Sequence, residues 1–424
     1  MPSNCGNSFY TFYMIAVRPV NDVLRYVPST PWRLKMKPKY DIIVVGAGPA
    51  GSMAAYWGVK AGVSVLLLEK DSHIGLPVRC AEGVNSKSIE KLVPVQDAWI
   101  ARRITGVVFH SPSGKQLNIQ SDEVGYVLHR KRFDYDLARM AADQGAEVHT
   151  RAWVYDLVRE ENRISGVKVN HLGEEKTIRA DVVIGADGVE SRVGRWAGLK
   201  THVALKDMET CAQVTAANID IDPDSIHLYF SHKLAPGGYL WIFPKGDKIA
   251  NIGLGISGEY CRKKSPYNYL MEFMQHHFSQ ASVLTTSLGG VTASKPLKHI
   301  VTDGLVLTGD AARHSNPLTG GGIASGMTAG KLAGEIAAAA VKEKNVSKNR
   351  LLDYAETFNK TEGKNLAKFY RIKEFVYNLS DEDLINIEKG VTKLPEEKRT
   401  LVNIFKVALV KKPSLILDVI KLFT

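Results

Sequence analysis

The chain has 424 residues, enough for two or three domains and a large core; its apolar share of 45% is ordinary, and no run approaches the ~18 apolar residues of a membrane-spanning helix. Four widely spaced cysteines, Cys5, Cys80, Cys211 and Cys261, form no CxxC pair, which argues against a metal site or a disulfide framework and leaves the cytoplasm as the default. Of the net charge of +11, residues 1–40 hold six basic side chains against Asp22 alone, so the rest is only mildly basic; no nucleic-acid module accompanies it, and the balance suits peripheral contact with an anionic phospholipid surface at the inner face of the cell membrane.

Residues 1–37 show no clear periodicity and read as an extension or a misassigned start, since Met36 opens MKPKYDIIVV. SFYTFYMIAV is short and precedes the basic residues, which argues against a targeting signal. DIIVVGAGPAG, Asp41 to Gly51, then runs an apolar strand into Gly46, Gly48, Ala50 and Gly51 and on into a helix. This spacing is a dinucleotide cradle: Gly46 permits the tight turn, Gly48 lets a pyrophosphate approach the backbone, and Gly51 lets the helix pack on the strand. The free N–H groups of the helix start face the phosphates. VSVLLLE follows and leaves Glu69 at a strand end, placed to accept hydrogen bonds from an adenosine ribose.

Farther on, ITGVVFHSPSGKQLNIQ reads as a hairpin around Ser113-Gly114. A strand from Val182 to Ala186 delivers Asp187-Gly188, with Ser191 and Arg192 after it. HLYFSH, GGYLWIFPKG and KIANIGLGI read as neighbouring antiparallel strands, and on the middle one Tyr239, Trp241 and Phe243 share a face at period two. GLVLTGD ends a further strand at Gly309-Asp310, and Gly320 to Gly322 open another helix. Three strand-end motifs fit a flavin better than a nicotinamide: an aspartate can hold a ribityl hydroxyl, and a helix start near Gly322 can aim its positive end at the flavin pyrimidine. His129 and His314 lie near these motifs and read as structural. From Lys331 the chain is helical by composition. Its last stretch, TLVNIFKVALVKKPSLILDVIKLF, fits either a helix packed on the protein or one lying at an anionic lipid interface, with Lys406, Lys411, Lys412 and Lys421 among its apolar positions.

The set of GxGxxG, Asp-Gly and Gly-Asp motifs resembles the FAD-dependent p-hydroxybenzoate hydroxylase-like superfamily. Within it, PVRCAEG (Pro77 to Gly83), GYVLHR, PGGYLWIFPKG and LTGD resemble the archaeal geranylgeranyl reductase family, over about residues 38 to 380. Ala81 departs from the glycine usual in that family's RCGEG. The resemblance implies that Glu69, Cys80, Ala81, Gly83, Arg130, Val154, Asp310, Gly322 and Ile323 contact FAD, that Cys80 is the catalytic position beside the flavin, and that Tyr239, Trp241 and Phe243 line a lipid cavity.

The implied fold is α/β, with a discontinuous Rossmann-like FAD-binding domain (38–84, 125–200 and 285–340), an antiparallel-sheet substrate domain (85–124 and 201–284) and a C-terminal helical region (341–424). The implied activity is saturation of geranylgeranyl chains in archaeal membrane phospholipid precursors. A prenyl double bond is not polarised by a carbonyl, so the site must be dry, long and supplied with one acid. No second GxGxxG follows a strand, and ferredoxin, NADPH or a deazaflavin remain as electron donors. The alternatives are an FAD monooxygenase and a prenyl-lipid-binding or electron-transfer flavoprotein; YLWIFP and RCAEG favour the reductase.

Overall fold

The computed structural model describes residues 36–119 and 125–411. The expectations placed on residues 1–35 and 412–424 lie outside the described residues. The strand Lys39–Val45 owes its unbroken Ile42-Ile43-Val44-Val45 run to its place between two parallel neighbours, Glu174–Gly185 and Val65–Leu68. A strand covered on both faces has no polar side to alternate with. The sheet runs Val301–Thr302, Leu305–Leu307, Glu174–Gly185, Lys39–Val45, Val65–Leu68, Glu147–His149, and the outer end of Glu174–Gly185 carries the antiparallel pair Arg163–His171 and Ala152–Glu160.

Pro49–Lys60 follows the first turn, with proline at its start, where a missing N–H costs nothing. It crosses Ile323–Lys342 so closely that a Cβ on Gly330 would stand 2.0 Å from the Ala50 carbonyl oxygen. Ala50 therefore sits at a helix crossing. Leu305–Leu307 ends at Gly309-Asp310 beneath this pair, so all three strand-end motifs gather at the C-terminal ends of three adjacent parallel strands.

A three-stranded sheet (Gly83–Asn85, Gly125–Leu128, Ile100–Ile104) joins this unit to a seven-stranded one. The larger sheet runs Ser282–Thr292, Met208–Ala217, Ile249–Ser257, Tyr239–Gly246, Ser225–Tyr229, Gly106–His110, Gln116–Ile119. It is antiparallel except where Ser225–Tyr229 meets Gly106–His110. Position 285 falls inside its strand Ser282–Thr292, so a boundary there would cut a strand.

Period-two alternation gives this sheet two unlike faces. Ala212, Val214, Leu240, Ile242, Ile252 and Leu254 point to one side and form a core with Leu270, Phe273 and Met274 of the helix Pro266–His277. Glu209, Cys211, Gln213, Tyr239, Trp241, Phe243 and Asn251 alternate with them on their strands and point to the other. After Ile323–Lys342 come Lys348–Phe358, Lys364–Val376, Asp381–Val391 and Leu401–Lys411. Ala408, Ile387 and Val391 close over Leu117 and Ile119 of the Ser113-Gly114 hairpin, so the described part of the last helix packs on the protein. Among the described residues no helix is long and apolar enough to cross a membrane.

Candidate active site

A cavity of about 480 Å³ opens at the ends of the parallel strands, lined by Gly46 to Gly48, Glu69, Cys80, Arg130, Val154 and Asp187 among others. Gly46 holds φ at +102°, a region costly for any side chain, and a Cβ placed on Gly48 would have nothing within 4 Å, so the backbone there fronts open space. Glu69 is fixed by two backbone donors, Ala47 N–H to Oε2 and Asp71 N–H to Oε1, both at 2.9 Å. Each oxygen keeps a lone pair for a further donor. At the far wall Asp187 accepts from Val193 N–H at 2.9 Å through Oδ2, while its buried Oδ1 has no partner among the described residues. Burial pushes this carboxyl up to about 6, against the pull of the Val193 N–H. A glycine cradle, an acid with free lone pairs and an orphaned carboxylate oxygen match the phosphates and hydroxyls of an adenine dinucleotide, and FAD fits these residues.

The Cys80 loop closes one end of the cavity. Arg130, paired with Asp134 by two hydrogen bonds of 2.6 and 2.7 Å, stands beside it. Burial alone would lower the Arg130 pKa, but Asp134, Cys80 and Glu82 more than offset that, and the guanidinium stays charged. Burial raises the Cys80 thiol, opposed by Arg130 and by the Glu82 N–H, which reaches Sγ at 3.2 Å. The thiol form therefore prevails near neutrality.

Glu82, absent from the residues expected from sequence, organises this loop. It is 2% exposed at φ +72°. Its carboxylate accepts from Arg130 N–H at 3.0 Å and Asn251 Nδ2 at 2.6 Å and pairs with Lys245. The readable signal was Asn251 itself, an amide in the middle of the apolar strand IANIGLG.

The aromatic strand meets the same loop. Gln213 donates from Nε2 to the Cys80 carbonyl at 2.9 Å and accepts from Trp241 Nε1 at 3.0 Å. The Phe243 ring lies so close over Gly83 that a Cβ there would stand 2.3 Å from it. Tyr239 and Trp241 are edge to face at 5.9 Å, and the Tyr239 hydroxyl donates to the Thr319 carbonyl at 2.6 Å, in the loop before Gly320. These three aromatics surround the Cys80 loop without lining the 480 Å³ cavity.

The cavity lining thus contains Gly46, Gly48, Glu69, Cys80, Arg130 and Val154; Ala50, Gly51, Ala81, Gly83, Asp310, Gly322 and Ile323 stand behind or beside it. Gly51 abuts the Gly46 carbonyl, and Asp310 Oδ1 lies 3.1 Å from the Cβ position of Gly322, at the uncapped start of Ile323–Lys342. Burial raises the Asp310 carboxyl, with Arg130 opposing. Ile323 and Cys80 pack in one apolar cluster with Trp99 and Phe133. His314 is buried and stacked on Phe358 at 3.9 Å; burial pushes it down to about 3, so it is neutral.

Residues 207–291 match the family profile described as geranylgeranyl reductase catalytic domain, and residues 41–239 that of FAD dependent oxidoreductases. The chain is 41% identical over 393 residues to a protein named digeranylgeranylglycerophospholipid reductase 1 from Methanococcoides burtonii, covering 92% of this chain and 96% of that one. It is 42% identical to a protein named digeranylgeranylglycerophospholipid reductase from Methanocella arvoryzae, over 91% of this chain and 100% of that one. The fold superposes on a crystal structure of a geranylgeranyl bacteriochlorophyll reductase-like protein from Thermoplasma acidophilum with a TM-score of 0.85 and 34% identity, over 91% of this chain and 99% of that one. A flavin-dependent brominase, at 20% identity and a TM-score of 0.65 over 89% of this chain and 98% of that one, shares the fold alone.

Proposed function

The chain belongs to the digeranylgeranylglycerophospholipid reductase family, and on that premise we propose that it is an FAD-dependent oxidoreductase that saturates the double bonds of geranylgeranyl chains in membrane phospholipid precursors. The observation that carries this reading is the Trp241–Gln213–Cys80 chain of hydrogen bonds, which ties an aromatic wall to the end of a dinucleotide cavity. A monooxygenase needs a path for oxygen; a prenyl reductase needs an apolar wall and a proton.

Gly46, Gly48, Ala50 and Gly51 shape the cradle for the pyrophosphate, and Glu69 accepts the ribose hydroxyls. Arg130, Val154, Ala81, Gly83, Asp310, Gly322 and Ile323 position the rest of the cofactor. FAD, when bound and reduced, supplies the hydride. Tyr239, Trp241 and Phe243 hold the prenyl chain and keep water out. Cys80 keeps its proton on Sγ beside them, either to orient the alkene or to protonate it. Ferredoxin, NADPH or a deazaflavin reloads the cofactor, and the basic balance of the chain holds the protein peripherally at an anionic lipid surface. The deciding assay is anaerobic: dithionite-reduced enzyme is mixed with a geranylgeranylated phospholipid and the product weighed by mass spectrometry. Gain of one H2 per saturated bond supports the reductase; reoxidation only when oxygen is admitted refutes it.

A further inference from the structure

Glu209 belongs to none of the motifs above. It lies 7% exposed on Met208–Ala217, on the same face of the sheet as Gln213 and the aromatic wall. Its Oε2 occupies room that side chains at Gly238 and Gly255 would fill, 3.3 and 2.8 Å from their Cβ positions. Among the described residues its buried Oε1 has no hydrogen-bond partner. The groups facing it are Cys211 on its own strand, Tyr239 two strands away across Gly255 of Ile249–Ser257, and Lys373 and Tyr377 from the helix Lys364–Val376 and its end. Lys373 is engaged elsewhere, with Asp207 at 3.2 Å and the Lys206 carbonyl at 3.1 Å, and the Tyr377 hydroxyl donates to the Leu318 carbonyl at 3.2 Å.

A buried carboxylate with a vacant oxygen is costly as an anion and acceptable as a neutral acid. Burial pushes Glu209 up to about 7, with Tyr377 and Lys373 pulling it back. Burial, above all, and then the charges of Glu209, Cys211 and Cys80 raise the Tyr239 phenol; Tyr239 pairs with Gly255, over which the Glu209 carboxylate lies, and its hydroxyl donates to the Thr319 carbonyl. Gly238 and Tyr377, which stand beside Glu209, also line, among other residues, a cavity of about 20 Å³, room for one water.

We propose that Glu209 is the proton reservoir of the reductive site, feeding Tyr239 and the Cys80 loop and refilled through the water-sized cavity at Gly237, Gly238 and Tyr377. This rests on the reductase reading. As one double bond is saturated, one carbon gains the hydride and the π pair bonds the other carbon to the proton; Glu209 makes up that proton, becomes a carboxylate, and takes another from solvent.

Two measurements on the FAD-loaded protein test it. Infrared titration of the oxidised enzyme between about pH 6 and 8 should show a carboxylic-acid carbonyl band that fades as pH rises and is missing from Glu209→Gln. Prenyl-lipid-dependent reoxidation of the dithionite-reduced enzyme should slow in wild type over the same range. It should be at least about tenfold slower and without that break in Glu209→Gln, and regain the break in Glu209→Asp. No such band in wild type, its persistence in Glu209→Gln, or wild-type reoxidation with an unchanged pH break in that variant would overturn the assignment. A band with the expected behaviour in an enzyme that reduces no prenyl lipid would instead sink the reductase reading, and the reservoir role with it.

Discussion

Asn251 donates to the buried Glu82 carboxylate at 2.6 Å, fastening the centre of the seven-stranded sheet to the loop that carries Cys80. Lys245 and the Arg130 N–H complete the knot. Glu82→Ala leaves Lys245 charged, 15% exposed and without its partner, and is expected to cost about 3–5 kcal/mol. Asn251→Ala, which removes one neutral donor, should cost about 1–3 kcal/mol. Chemical denaturation of both variants checks the ranking; a smaller loss for Glu82→Ala would break it.

Glu69→Arg should purify without yellow colour. The change removes the acceptor that Ala47 and Asp71 N–H orient toward the cavity and sets a bulky cation in its place. Flavin absorbance per protein is the measurement, and undiminished absorbance takes Glu69 out of the cofactor site.

Trp241→Ala should retain FAD and lose turnover of long prenyl chains more than of short ones, because it removes wall from the proposed substrate face and leaves the cradle whole. Loss of the 8% exposed indole is expected to cost about 3–5 kcal/mol as well, so turnover is compared below the variant's own melting point. Equal losses on long and short chains in a folded variant argue against the wall.

For Cys80 the raised pKa predicts slow alkylation at neutral pH and a rate that climbs only in alkaline solution. Cys80→Ser then separates two roles. A hydroxyl keeps the size of the group but is a far weaker acid, so wild-type reoxidation by prenyl lipid means positioning, and a loss of more than about tenfold means proton donation.

Asp187 gives the apoprotein a pH signature. Its folded pKa of about 6 lies above the ordinary 3.8, so its contribution is fully present below 3.8 and is lost as pH rises through about 6. Asp187→Asn should flatten that segment of a melting-temperature profile taken on flavin-free protein. An unchanged slope would locate the titrating group elsewhere.

Much of the fold was legible because its cues are local. The run Ile42 to Val45 ahead of Gly46, the Ser113-Gly114 hairpin and the Tyr239–Gly246 strand each carry their pattern within a few residues. The Glu82 knot was not, since a glutamate flanked by Ala81 and Gly83 reads as a solvated turn residue until Lys245 and Asn251 arrive from the other sheet. Glu209 was hidden for the same reason, although the polar stripe Glu209, Cys211, Gln213 and Thr215 at period two marked a face that water does not own. Residues such as Gly51 and Ala50 were legible as a motif; Gly51 packs on the Gly46 carbonyl and Ala50 on Gly330, and spacing alone does not separate such packing from contact with a ligand.

The three arms of the Glu82 knot reach across 48, 163 and 169 positions of the chain. Contacts of such sequence separation bear the full entropy of closing long loops and form only after nearer pairings have shortened the path. The Cys80 loop is therefore expected to be set in place late in folding, once the strand holding Lys245 and the strand holding Asn251 have joined their sheet. A nascent chain displays its glycine turn long before it can display a finished site, and a ribosome must release about two hundred residues beyond that turn before the last arm exists to be tied.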